Sequence, residues 1–196
     1  MTTQQKEHSI QSILAGHEEA YKASFGANNL KVLDEIVRLM VQVFKNGKKI
    51  LLCGNGGSAA DSQHIAAEFI GRFKKERKSL PAIALTTDTS ILTAVSNDYS
   101  YETVFARQVE GLGQKGDLLI AISTSGTSKN ILAAAKKAKE LGVIVVGFTG
   151  KNGRDLQKIS DVTFLAGSEK TSHIQEMHIT ALHAISEVVE NSLYPS

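Results

Sequence analysis

Five short apolar runs decide the fold class of this chain: ILLCG (50–54), AIALT (82–86), DLLIAIS (117–123), VIVVGFT (143–149) and DVTFLA (161–166). Gly, Asp, Ser or Pro bound them. Runs this short and unbroken predict strands buried on both faces, as in a parallel sheet covered by helices. Helical patterns separate them over 58–72, 89–111 with a break near Asn97, 127–141 and 152–159, and a long helix closes the chain over 171–193. This alternation predicts an α/β fold with a doubly wound, five-stranded parallel sheet.

Residues 2–26 and 28–47 predict two further helices ahead of the sheet. In the second, Leu30, Leu33, Ile36, Val37, Met40, Val41 and Phe44 recur at helical spacing, and Gly47 supplies a stop. There is no linker-like shift, repeat or low-complexity tract, so residues 1–196 read as one domain whose extension covers about 1–47. Two apolar-faced helices at one end can dock on their own sheet or build a subunit interface, and an oligomer is expected.

With 42% hydrophobic and 21% charged residues in a chain of 196, a single packed core is affordable. A net charge of +2 gives no reason to expect nucleic acid or an anionic membrane surface. The basic run RFKKERK (72–78) reads as a solvated stretch. Cys53 stands alone, which excludes an internal disulfide and suits a reducing compartment. Its place between KILL and GNGG predicts a buried strand-end thiol rather than a nucleophile. No signal-like segment or run of ~20 apolar residues occurs, so a soluble cytoplasmic protein is expected.

Ligands of open parallel sheets bind beyond the carboxyl ends of the strands. Three such ends are rich in small or polar residues: GNGGS (54–58), TTDTS (86–90) and STSGTS (123–128). In STSGTS, five hydroxyls surround Gly126, ahead of a helix N-terminus whose free N–H groups attract phosphate. An ordinary cap needs one hydroxyl, so this loop exceeds capping needs. No nucleotide P-loop is present. GNGGSA matches the loose dinucleotide fingerprint, but the acidic residue expected ~20 positions on is missing, and Asn55 and Ser58 suit sugar hydroxyls better.

His64 and Glu68 lie at i, i+4 on one helix face. A surface pair is the plain reading, but the neighbours Ile65, Ala66, Phe69 and Ile70 predict a mostly buried helix, where a carboxylate needs a partner, a metal or a raised pKa. The closing helix carries His173, Gln175, Glu176, His178 and His183. Helical spacing alone cannot choose the acting residues among them.

CGNGGSAADSQHIAAEFIGRF, SNDYSYETVFARQVE, GDLLIAISTSGTS and IQEMHITALH together resemble the sugar isomerase (SIS) family, from about residue 30 to the C-terminus. The resemblance implies that Asn55, Gly56 and Gly57 line a sugar site, that Asn97 and Asp98 contact substrate, and that Ser123, Thr124, Ser125 and Ser128 hold its phosphate. It implies metal ligation by His64, Glu68, Gln175 and His183, a set that would suit zinc. Glu68 and His183 would be the acid–base residues of an aldose–ketose isomerisation, with Glu68 and Gln175 also touching substrate. It further implies a homotetramer with active sites shared between subunits. His173 departs from the family pattern, in which arginine is usual.

The same family contains a non-catalytic relative, a scaffold that binds the bacterial replication initiator, and the stretch from RFKKERK to SNDY is similar to it. That relative lacks the matching glutamate and histidine and carries arginine in the phosphate loop. Glu68, His183 and Ser125 keep the enzyme's residues here. Isomerisation of a hexose phosphate is a further alternative, against which the HxxxE and IQExHxxxxH set argues for a heptose phosphate.

Overall fold

The computed structural model describes residues 9–195. Its order is α1 (Ile10–Ser24), α2 (Ala27–Lys45), β1 (Ile50–Cys53), α3 (Gly57–Ile70), β2 (Ala82–Ala84), α4 (Thr89–Asp98), a 3₁₀ turn (Tyr101–Thr103), α5 (Val104–Leu112), β3 (Leu118–Ile122), α6 (Lys129–Glu140), β4 (Ile144–Gly150), α7 (Arg154–Ile159), β5 (Val162–Ala166) and α8 (Thr171–Leu193). Every expected strand forms, and the break near Asn97 falls at the end of α4. The part of the first expected helix over residues 2–8 lies outside the described residues.

All strand pairs are parallel, in the order β2-β1-β3-β4-β5. From β1 the chain winds first to β2 on one side and later to β3 on the other. The C-terminal ends of β1 and β3 therefore flank the topological switch point, where such folds bind ligands.

Alternation along each strand divides the core in two. Leu52, Ile120 and Val146 face α2, α3 and α8, which contribute Ile36, Met40, Phe69, Met177 and Ile185. Leu51, Leu119 and Val145 face α5 and α6, where Phe105, Ile131 and Ala135 are buried. Cys53 belongs to this second layer, and burial pushes its thiol up to about 12. It is the inert residue the sequence predicts.

Helix α2 stops as its sequence predicts. Gly47 takes φ +66°, its N–H donates to the Phe44 carbonyl and the Lys48 N–H to the Val43 carbonyl, both at 3.0 Å. That pair of bonds is a Schellman closure.

Four expectations need correction. Strands β2 and β5 are not buried on both faces: they are the sheet edges, and Ile83 is exposed. On α2, Leu30 is exposed and Val43 takes a core position instead. Helix α3 is only half buried, with His64, Ala67 and Ile70 on an open face. In the basic run, Arg77 is no solvated cation: its side chain is 1% exposed and that of its partner Glu190 2%. Residues 71–80 fold back on α8, and a charge run read from composition cannot reveal such a partner. Removing one member of a buried pair of this kind costs about 3–5 kcal/mol, because the other is stranded.

His178 is the structural histidine of α8. It is fully buried beside Phe148 and Phe164, with Nε2 3.1 Å from the Thr149 carbonyl oxygen. Burial drives its imidazole down to about 4, against a smaller upward pull from that carbonyl. The unfolded chain binds a proton near 6.5 and the folded chain does not until about 4. Stability from this group is therefore complete above about 6.5 and is lost as pH falls towards 4, by an amount of order 3 kcal/mol. Thermal melts of His178→Gln should lack this component of the acid-side decline. Parallel pH curves for variant and parent would refute the assignment.

Candidate active site

At the end of β3, the Ser123 hydroxyl lies 3.0 Å from Ser128 Oγ and 3.4 Å from Ser125 Oγ. The Thr127 N–H and hydroxyl both donate to Ser125 Oγ at 3.2 Å. Ser128 occupies the N-cap position of α6, yet its side chain makes no capping bond. Elsewhere in the molecule Ser9 and Asp88 cap α1 and α4 in the ordinary way. The Ser128 hydroxyl thus turns inward to its loop partners. Asn130 Oδ1 accepts the Ile131 N–H at 3.0 Å, and the remaining first-turn amides, with the partial positive charge of the helix end, face the loop. Thr124, Ser125 and Thr127 also line a cavity of about 360 Å³ with Lys151 and Arg154 on its wall.

Across the switch point, the loop after β1 is tied to α6 by a reciprocal amide pair. Asn55 Nδ2 donates to Asn130 Oδ1 at 2.9 Å, and Asn130 Nδ2 donates to Asn55 Oδ1 at 2.8 Å. The Tyr101 hydroxyl adds a third bond, to Asn55 Oδ1 at 3.0 Å. Sequence reading missed Asn130 and Tyr101, because nothing local marks an asparagine or tyrosine whose partner is another loop.

The second cluster sits farther along α3. His64 Nε2 is 2.8 Å from His183 Nε2 and 3.4 Å from Glu68 Oε1. One ligand atom from each of His64, Glu68 and His183 falls within 4.8 Å of the others. Two imidazole nitrogens and a carboxylate oxygen, on a partly open surface, are a donor set fit for zinc, with a coordination position left over. The i, i+4 spacing on α3 delivers two donors, and α8 delivers the third from 115 residues downstream of Glu68.

Between the two clusters lies the start of α3. A side chain at Gly57 would overlap the Gln175 amide, so glycine is what admits Gln175 there. Gln175 and His183 are eight residues apart on α8, about 12 Å along its axis. Gln175 is thus held beside Gly57, with its amide lowering the carboxyl of Asp61, while His183 lies with His64 and Glu68. Gly57→Ala leaves the fold intact, since the obstacle is the end of a flexible side chain, but displaces Gln175. We expect turnover at this site to fall by about tenfold with an unchanged melting temperature. Full activity would remove Gln175 from the site.

Asp61 was also missed, although Asp61, His64 and Glu68 (i, i+3, i+7) form one helical stripe. It is buried, its Oδ2 has no hydrogen-bond partner among the described residues, and burial raises its carboxyl to about 6, with the His64 charge and the Gln175 amide pulling down. Asn97 and Asp98 end α4 on exposed surface, Asn97 Nδ2 donating to Asp98 Oδ1 at 3.0 Å. No hydrogen bond among the described residues ties them to either cluster. His173 is buried against α1, its ring edge-on to His17 at 5.9 Å between centroids.

A hydroxyl-rich loop at the switch point of a parallel α/β sheet is a place where anionic ligands bind in such folds. The SIS domain family model matches residues 19–150. The phosphoheptose isomerase of Clostridium acetobutylicum is 53% identical over 165 residues, covering 84% of each chain. That of a Roseiflexus species is 57% identical over 159 residues, 81% of each chain. The solved phosphoheptose isomerase of Neisseria gonorrhoeae superposes with a TM-score of 0.87 at 39% identity, covering 96% of this chain and 99% of that one. The chain belongs to the SIS-domain family and, within it, to the phosphoheptose isomerases.

Proposed function

We propose that this protein interconverts sedoheptulose 7-phosphate and D-glycero-D-manno-heptose 7-phosphate as an aldose–ketose isomerase of heptose biosynthesis. The observation that carries the reading is the convergence of His64, Glu68 and His183 on α3 and α8, in a chain about half identical to phosphoheptose isomerases. Along α3, His64 lies about 10 Å beyond Gly57, where the switch-point loops end. A substrate with phosphate at one end and carbonyl at the other suits that separation.

Ser123, Thr124, Ser125 and Ser128, with the first amides of α6, bind the phosphate and position the sugar. Asn55, Gly56, Gly57, Asn97 and Asp98 line the sugar, and Gln175 contacts it from α8. After ring opening, Glu68 takes the proton from C1 of the ketose, giving an enediol, and returns it to C2. His183 moves the compensating proton between the two oxygens, so the reaction is balanced without an external donor. Zinc, when bound, would supply Lewis-acid polarisation of those oxygens. His64, Glu68 and His183 would hold it, with Gln175 as a fourth ligand from the same helix as His183.

We further propose a cytoplasmic homotetramer. Ile10, Ile13, Leu14 and Tyr21 lie at helical spacing on α1 and are all exposed, which supports burial against another copy. No helix among the described residues is long and apolar enough to cross a membrane. Light scattering reads the assembly directly, and a monomer at micromolar concentration would refute it. The initiator-binding reading is not favoured, because Glu68, His183 and Ser125 are all retained.

The test is incubation of purified protein with sedoheptulose 7-phosphate, with and without chelator, following the aldose phosphate by NMR. Turnover that chelator removes and zinc restores establishes both isomerase and metal. No turnover from folded, zinc-loaded protein would overturn the reading.

A further inference from the structure

Arg77 and Glu190 are the most deeply buried ion pair among the described residues, and the reaction outlined above does not use them. Their partners explain why the pair is built where it is. Arg77 Nε donates to Glu190 Oε1 at 2.9 Å. Its Nη2 donates to the Glu68 carbonyl and its Nη1 to the Phe69 carbonyl, each at 2.8 Å. Both carbonyls lie in the last turn of α3, where the Phe69 carbonyl also accepts the Leu80 N–H at 3.0 Å, so the guanidinium helps close that helix where a cation is favoured. A planar fork satisfies the carboxylate and both carbonyls at once, which an ammonium cannot do.

Glu190 gathers the loop from the other side. It accepts the backbone N–H groups of Phe73 (3.1 Å), Lys74 (2.8 Å) and Lys75 (2.9 Å). Burial works against the charge of this carboxylate, yet the Lys74, Lys75 and Phe73 amides and Arg77 together hold it below the usual range. Lys74 Nζ adds an ion pair with Glu187 at 2.7 Å. Three successive peptides are thereby stapled to α8, and the Phe73 ring comes to rest 6.0 Å from the His183 ring, tilted by 34°.

We infer that Arg77 and Glu190 are positioning residues for the isomerisation, setting Glu68 through its own carbonyl and His183 through the ring of Phe73. The geometry is specific in that one ion pair reaches both residues of the acid–base couple, from a loop that contributes no reacting group. The inference rests on the acid–base assignment of Glu68 and His183 made under the proposed function.

Two substitutions test it. Arg77→Lys keeps the charge and loses the fork, and Phe73→Leu keeps apolar volume and loses the aromatic face on His183. In each variant kcat for sedoheptulose 7-phosphate should fall by about tenfold or more, KM should stay within about threefold, and the pH profile of kcat should shift. Competitive inhibition by inorganic phosphate should be unchanged, since the phosphate loop is untouched. A purely structural clamp would reduce the amount of folded protein and leave kcat per folded site and the pH profile as in the parent. That outcome in Phe73→Leu overturns the inference, even where Arg77→Lys fails to fold. An inactive but folded parent protein instead overturns the acid–base reading beneath it, so the two failures are distinguishable.

Discussion

Glu68→Gln and His183→Gln should each lower turnover of sedoheptulose 7-phosphate by about 10²- to 10⁴-fold, the range for loss of a general acid or base. Glutamine preserves size and a polar end but cannot accept the C1 proton in place of Glu68. In place of His183 it cannot exchange a proton with the sugar oxygens. Both side chains are partly exposed in the chain, and neither is packed in the core, so the fold should be indifferent to the change. Because both residues are also proposed metal ligands, zinc content must be measured beside activity. A variant that retains zinc and folds but does not turn over locates the loss in proton transfer. A variant that turns over within threefold of the parent would remove that residue from the acid–base couple.

The second large effect is expected at the other end of the substrate. Ser125→Ala combined with Ser128→Ala should raise KM about a hundredfold. A hydrogen bond to a charged group contributes about 1.5–3 kcal/mol and each 1.4 kcal/mol is a factor of ten. kcat should change less, because these groups bind the phosphate in ground state and transition state alike. Inhibition by inorganic phosphate should weaken in parallel. Losing a working N-cap typically costs about 1 kcal/mol of stability, but the Ser128 hydroxyl makes no capping bond to α6. The Thr127 N–H and hydroxyl that Ser125 Oγ accepts are exposed and can turn to water instead, so the double variant should melt close to the parent. A lowered melting temperature with normal phosphate affinity would show that the loop is a cap after all.

Much of this molecule was legible one segment at a time. The strands, the Gly47 stop and the half-site of His64 and Glu68 depend on neighbours within a turn or a strand length, and local periodicity reports those. The edge character of β2 was not legible, because an apolar run does not say how many neighbours it will have. Arg77 was misread for the same reason: its partner stands 113 residues away. Asn130, on α6, and Tyr101, on the 3₁₀ turn, gained their roles only when packing brought both against Asn55 in the loop after β1.

The sequence by itself determined the α/β class, the order of its elements and the presence of a hydroxyl-rich loop after one strand and a His–Glu stripe on the helix after another. These follow from residue types and spacings of 2 and 3.6, which any short segment carries within itself. Only the tertiary structure decided which histidine of α8 faces α3 and which enters the core. His178 and His183 are five residues apart, about 140° around the helix. Packing α8 on the sheet sends His178 into the core beside Phe148 and Phe164, and leaves His183 facing His64 on α3. Rotation about a helix axis has no meaning until something lies against that helix.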